Sequence, residues 1–261
     1  KLSCPVVTVP ATGMQLYDKG QEMAYLALLR EFMQTGPAAG DSPQERSGAG
    51  ERPVLGVLGA SGLDQISREG SRRLRSRLDP DDSREIRIWG EQLADFTEPF
   101  AADRNLVVSP SGLAPARLLK KQFGTPYEIG YPLPAPETPR AVCPPGRRIL
   151  IIHQAVLAES LKQRVLAADP SASVQTASFF MPLTEGPVTD IRLREEEDLA
   201  QLAENGAYDI IAGDPLFRRA LGDFGGHFIG LPHFAVSGSL HFPQTDEEFL
   251  QVFDEGLFGP A

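Results

Sequence analysis

Arg148-Ile-Leu-Ile-Ile-His-Gln154 decides the fold. Four apolar residues run without interruption and stop at two polar ones, which is the pattern of a strand buried on both faces. A helix follows from Ala155 to Ala168, with Val156, Leu157, Leu161, Val165 and Leu166 on one side. Working forward, Val174 to Phe180 reads as a strand and Glu195 to Asn205 as an acidic helix stopped by Gly206. Tyr208 to Ile211 is a strand, Pro215 to Leu221 a short helix, and His227 to Gly230 a strand. Thr245 and Glu248 have the spacing of a capping box for a last helix over Asp246–Phe253.

The same rhythm appears before that stretch. Val54 to Leu58, Ile86 to Trp89, Asn105 to Val108 and Thr125 to Ile129 read as strands, and Pro5 to Pro10 as another. Asp64 to Leu78 carries Ile66, Leu74 and Leu78 among five arginines, and Ala114 to Phe123 reads as a helix. Strand–helix alternation with near-continuous apolar strands predicts parallel sheets covered on both faces. The fold class is α/β: two Rossmann-like domains with mainly parallel sheets. Pro132 to Pro139, with Pro144 and Pro145, cannot continue a helix or a central strand and reads as a Pro-rich linker over 132–147. That places domains at 1–131, with a mobile loop near 36–52 rich in Gly, Pro and Ser, and at 148–261.

Composition excludes several classes. The 261 residues hold 25 Lys and Arg against 35 Asp and Glu, a net charge of −10, which argues against nucleic-acid binding. No apolar run approaches the roughly 18 residues that span a bilayer, so no membrane role is expected. Cys4 and Cys143 are far apart and outside any C-x-x-C spacing, which favours a reducing, cytoplasmic setting. The chain opens on Lys1, which reads as a piece of a longer protein. The arginines from Arg68 to Arg77 read as a solvated helix face, or one turned to an acidic partner. There is no G-x-S-x-G elbow, H-E-x-x-H or kinase set, and two distant cysteines cannot hold an iron–sulfur cluster alone.

In open α/β sheets ligands bind beyond the carboxyl ends of the strands. That rule selects Gly59, Ser61 and Gly62, then Ser109, Ser111 and Gly112, then His153 and Gln154, then Gly213 and Asp214, then His233 and Ser237. Of these, Gly59, Ser61, Ser109, His153, Asp214 and His233 are the ligand- or cofactor-binding candidates. Each has a plainer reading beside it. Gly59-Ala-Ser-Gly62 is a phosphate-type turn or an ordinary strand–helix turn, and it is not a Walker loop. His153 is a ligand contact or a hydrogen-bonded core histidine. His233 lies in a loop able to place an imidazole in a cleft, and matches no zinc spacing. No catalytic residue is assigned.

Pro5 to Met14 followed by Tyr17-Asp-Lys-Gly20 resembles a strand, Gly-aromatic turn and helix of nitrogenase component 1 subunits. Arg104-Asn-Leu-Val-Val-Ser109 through Gly124-Thr-Pro-Tyr127 is similar to that family's A-x-L-N-L-V … L-E-E-x-F-G-I-P-Y stretch. Tyr208-Asp-Ile-Ile-Ala-Gly213 and Ile229-Gly-Leu-Pro-His233 resemble its P-D-L-V-I-G strand and late G-I-P turn. The family includes nitrogenase, its cofactor-assembly scaffolds and the dark-operative protochlorophyllide reductases. The resemblance implies an oxidoreductase subunit that holds a metal cluster or tetrapyrrole-type ligand in an interdomain cleft. Ser109 and His233 would then lie on opposite walls, with His153 and Asp214 between them. It also implies an iron–sulfur or other metal–sulfur cluster in the full-length protein or assembly. The implied partners are a homologous or identical subunit and an ATP-dependent iron–sulfur electron donor. Ser109 stands where the family's cofactor-ligating cysteine falls, and a hydroxyl is a poorer iron ligand than a thiolate. His233 falls near the family's late cofactor histidine. The alternatives are a non-catalytic scaffold or carrier for cofactor assembly, and a plain Rossmann-like ligand-binding protein.

Overall fold

A computed structural model describes residues 6–10, 16–35, 52–97, 102–134, 141–142, 145–186 and 190–259. Its contacts divide the chain into two compact units, Lys1–Ser61 with Arg75–Gly130 and Gly62–Leu74 with Tyr131–Ala261. The 36–51 loop, both cysteines and, of the 132–147 segment, Pro136, Pro139 and Pro144 lie outside the described residues.

The first unit holds α1 (Tyr17–Thr35), β1 (Val54–Leu58), β2 (Glu85–Ile88), β3 (Arg104–Val107), α3 (Leu113–Phe123) and β4 (Tyr127–Ile129). The helix α2 (Gly70–Leu78) precedes β2 and contains the boundary between the units. The strand order is β2-β1-β3-β4, all parallel. β1 is one of the two interior strands, and Gly56 on it is there for a packing reason. A Cβ at Gly56 would come within 2.1 Å of Asn105 Oδ1 and 2.6 Å of Trp89 Nε1. Those two groups hydrogen-bond to each other at 3.2 Å, buried, across the face of β1. Val6–Pro10, expected as part of a strand, pairs with neither sheet.

The second unit holds β5 (Arg148–Ile152), α4 (Ala155–Ala168), β6 (Ser173–Ser178), β7 (Ile191–Arg192), α5 (Glu196–Asn205), β8 (Ile210–Gly213), β9 (His227–Gly230), the single turn α6 (Phe234–Ser237) and α7 (Asp246–Phe258). Its order is β7-β6-β5-β8-β9, again all parallel. Leu150, Ile152, Ala177, Leu193, Leu199 and Ile211 form one buried cluster between this sheet and α5. The expected capping box is present: Thr245 accepts from the Glu248 amide, and Glu248 bonds back to the Thr245 amide. Ile191–Arg192 pairs with β6 as β7.

Residues Gly62–Leu74 group with the second unit rather than the first. The buried Ser67 hydroxyl donates to Asp246 Oδ1 at 2.6 Å, and the Arg68 and Glu69 amides donate to the carbonyls of Pro243 and Gln244. Helix starts only at Gly70, eight residues after Gly62, because this docking segment occupies the interval. The arginines of α2 have intramolecular partners. Arg72 and Arg73 pair with Glu69, Arg73 also with Glu247 at 3.3 Å, and Arg75 with Glu91. No helix among the described residues is long and apolar enough to cross a membrane.

Substituting Gly56 with Ala forces a methyl into the Asn105–Trp89 contact. A loss of about 1–3 kcal/mol is expected from such overpacking. Urea denaturation followed by the fluorescence of Trp89, the only tryptophan, measures it. An unchanged midpoint would contradict the packing assigned here.

Candidate functional site at the strand ends

Each sheet has a place where chain order reverses, and there two adjacent strands send their following segments in opposite directions. In the first unit this falls between β1 and β3. Gly59, at φ +84°, follows β1, and Ser109 follows β3. The buried Ser109 hydroxyl donates to the Gly59 carbonyl at 2.8 Å and lies 2.9 Å from the Ser111 hydroxyl. A Cβ at Gly59 would come within 2.4 Å of Ser109 Oγ, so close strand packing by itself requires the glycine. Ser61 Oγ donates to Gln21 Oε1 on α1 at 3.1 Å. α1 also packs against the Pro110–Gly112 turn. The serine hydroxyls at this point are therefore engaged within the unit, while Gln21 Nε2 is buried with no hydrogen-bond partner.

In the second unit the reversal falls between β5 and β8. His153 follows β5, Asp214 follows β8, and His233 lies three residues past β9. Three adjacent parallel strands thus bring together three of the six sequence-selected residues. The His153 and His233 rings lie with centroids 4.7 Å apart. Phe180 stacks on His233 at 4.3 Å, and Phe249 of α7 meets His153 edge-on at 6.1 Å. His153 is 1% exposed, His233 2% and Asp214 0%.

The polar atoms at these ends are used mainly as caps. Gln154 accepts from the Val156 amide at the start of α4. Asp214 accepts from the Leu216 amide, opening the short Pro215–Arg219 turn. His233 Nδ1 accepts from the Ala235 amide at 3.1 Å, opening α6. Each satisfies a backbone donor that a helix start leaves unpaired. Asp214 Oδ2 also accepts from the His233 amide and the Ser237 hydroxyl, both at 2.8 Å. The strand-end rule had selected Ser237 beside His233, and its partner proves to be the carboxylate at the neighbouring strand end. His153 differs from the rest: Nε2 has only a 3.5 Å contact to the Pro232 carbonyl, and Nδ1 is buried with no hydrogen-bond partner.

Both rings are held neutral. Burial pushes His153 down to about 4, against a small opposing effect from the Pro232 carbonyl. Burial, then repulsion from His153, puts His233 well below the usual imidazole value. The second unit also carries a groove of about 600 Å³ lined by Tyr208, Arg219, Gly222, Phe224 and Gly226. It lies at the amino ends of β8 and β9, away from the histidines, and no sequence feature marked it.

No family model and no curated protein matches the sequence. A solved structure described as "Nitrogenase Cp1 at pH 6.5" shares the fold, with a TM-score of 0.57 and 11% identity. The likeness covers 92% of this chain and 64% of that one. At the level of fold, this protein is related to nitrogenase Cp1. The two-sheet α/β architecture expected from the sequence is the one found.

The described side chains do not fit a nitrogenase-type cluster. Ser109 has its proton directed to Gly59. A neutral imidazole that ligates through one nitrogen carries its proton on the other, yet His233 Nδ1 is already an acceptor. Among the described residues no three His, Cys, Asp or Glu are grouped as metal donors.

The neutral rings give a pH dependence with a definite sign. Between the unfolded value near 6.5 and the folded value near 4, the unfolded chain binds more protons at His153, so stability rises with pH there. Acidification from pH 7 to 4 is expected to cost on the order of 3 kcal/mol at this residue. His153→Phe should flatten that part of a Tm-against-pH curve. A variant with the wild-type slope would show that this ring is not the source.

Proposed function

We propose that the protein is a ligand-holding subunit of a nitrogenase component 1-type oxidoreductase. Its ligand would be held at the carboxyl end of the second sheet, against His153 and His233. The observation that carries this reading is the convergence of His153, Asp214 and His233 on the ends of three adjacent strands, at the reversal point where open α/β sheets bind ligands. The shared fold supports it as analogy. The rings and phenylalanines suit a flat, largely apolar ligand of the tetrapyrrole type better than a bare metal ion.

The chain's own contribution is binding and orientation. His153 and His233 are neutral imidazoles that hydrogen-bond to a ligand without presenting charge, and Phe180 and Phe249 exclude water around them. We assign any metal–sulfur cluster of the complete assembly to residues other than these. Its partners would be a homologous or identical subunit and an ATP-dependent iron–sulfur electron donor, and the setting a reducing cytoplasm.

A second reading, a carrier or scaffold for cofactor assembly, is favoured by Ser109. Its hydroxyl is committed to Gly59 and offers no strong ligation, which suits a protein that must release its cargo.

The test is His153→Ala and His233→Ala in the complete protein, produced without oxygen together with its partner subunits. Absorption spectrum, iron and acid-labile sulfide per chain, and turnover with a reducing partner are measured. Each variant is expected to retain the ligand about tenfold less well, the equivalent of one hydrogen bond. Retention and turnover unchanged in both would overturn the assignment. Retention lost from a wild-type protein that never turns over would select the carrier.

A further inference from the structure

We propose that Asp214 is a positioning residue that fixes His233 in the Nε2–H tautomer, so that this ring meets a ligand as a hydrogen-bond donor rather than as a metal ligand. The inference rests on the ligand site proposed above and adds a role to it. Asp214 ends the strand that lies between β5 and β9, and it is fully buried. One oxygen, Oδ1, caps its own turn through the Leu216 amide at 2.9 Å. The other holds both ends of α6: the main-chain amide of His233 at its start and the hydroxyl of Ser237 at its finish, each at 2.8 Å.

A four-residue helix cannot sustain itself, because nucleation fixes several residues for one hydrogen bond. What holds α6 in place is therefore the carboxylate gripping its two ends. Between those ends the Ala235 amide is aimed at His233 Nδ1. An imidazole nitrogen that accepts a hydrogen bond carries no proton, so in the neutral ring the proton is on Nε2. Binding a metal through Nε2 would need that proton moved to Nδ1, against the Ala235 N–H, or lost altogether. The carboxylate at the strand end thus decides which chemistry the histidine can offer. Asp214 acts through the backbone and leaves the ring face to Phe180 and His153.

Ring nitrogens report this directly. The full chain is labelled with ¹⁵N-histidine, and the four histidines are assigned with single His→Gln variants. At pH 7.5 wild-type His233 should show one acceptor-type Nδ1 and one protonated Nε2, unmoved by added Zn²⁺. In Asp214→Asn one acceptor oxygen remains for three donors and the NH₂ must face at least one of them, so the grip is weakened. The two His233 nitrogens should then move toward each other as tautomers exchange, while His153 keeps its own pattern. Ser237→Ala removes one of the contacts and should produce a smaller shift in the same sense.

A wild-type His233 pattern in these variants, an equal shift at His153, or a Zn²⁺ shift at wild-type Nε2 would each overturn the proposal. Should Asp214→Asn not fold, Ser237→Ala decides by the same criteria. The measurement needs no bound ligand, so it can fail or succeed apart from the ligand-retention test of the preceding section.

Discussion

Parallel strands cannot be joined by tight turns, and this one constraint organises both units. Every strand must be followed by a crossover, so each sheet begins at an interior strand and grows outward, first to one side and then to the other. β1 and β5 are those interior strands, flanked by β2 and β3 and by β6 and β8. The reversal leaves one position per sheet where neighbouring crossovers diverge. The strand-end candidates lie at or beside those two positions.

The two positions are finished differently. In the first unit the space is closed by close approach: Gly59 lets β1 run against Ser109, and the serine returns a hydrogen bond to it. In the second unit helix starts consume the polar atoms. Gln154, Asp214 and His233 each cap a helical turn, and the charge of Asp214 is spread over three donors. At this position Nδ1 of His153 is buried among rings with no hydrogen-bond partner, as Gln21 Nε2 is at the first. An unsatisfied buried polar atom costs free energy.

Charge is arranged with similar locality. The run from Arg68 to Arg77 appears in the sequence as a basic stripe in an acidic protein. In the fold it is balanced by Glu69, Glu91 and Glu247, two of them distant in sequence. Those pairs are largely solvent-exposed, so each contributes little. Burial gives more weight to Arg164, which grips Asp254 through two nitrogens and ties α4 to α7.

Periodicity alone determined the α/β class, most of the strands and the residues at their carboxyl ends. Unbroken apolar runs such as Ile149–Ile152 have no other stable home than a sheet covered on both faces, and α4 occupies the expected Ala155–Ala168 span. Local signals also sufficed for the Thr245–Glu248 box, because its donors and acceptors lie three residues apart. Tertiary structure alone decided the rest. Ser67 docks on Asp246 across 179 positions and draws residues 62–74 into the second unit, a pairing with no local trace. His153 and His233 become neighbours only because β5, β8 and β9 lie side by side in one sheet. Strand order is set by crossover packing, and a sequence read along its length has no access to which strand ends up beside which.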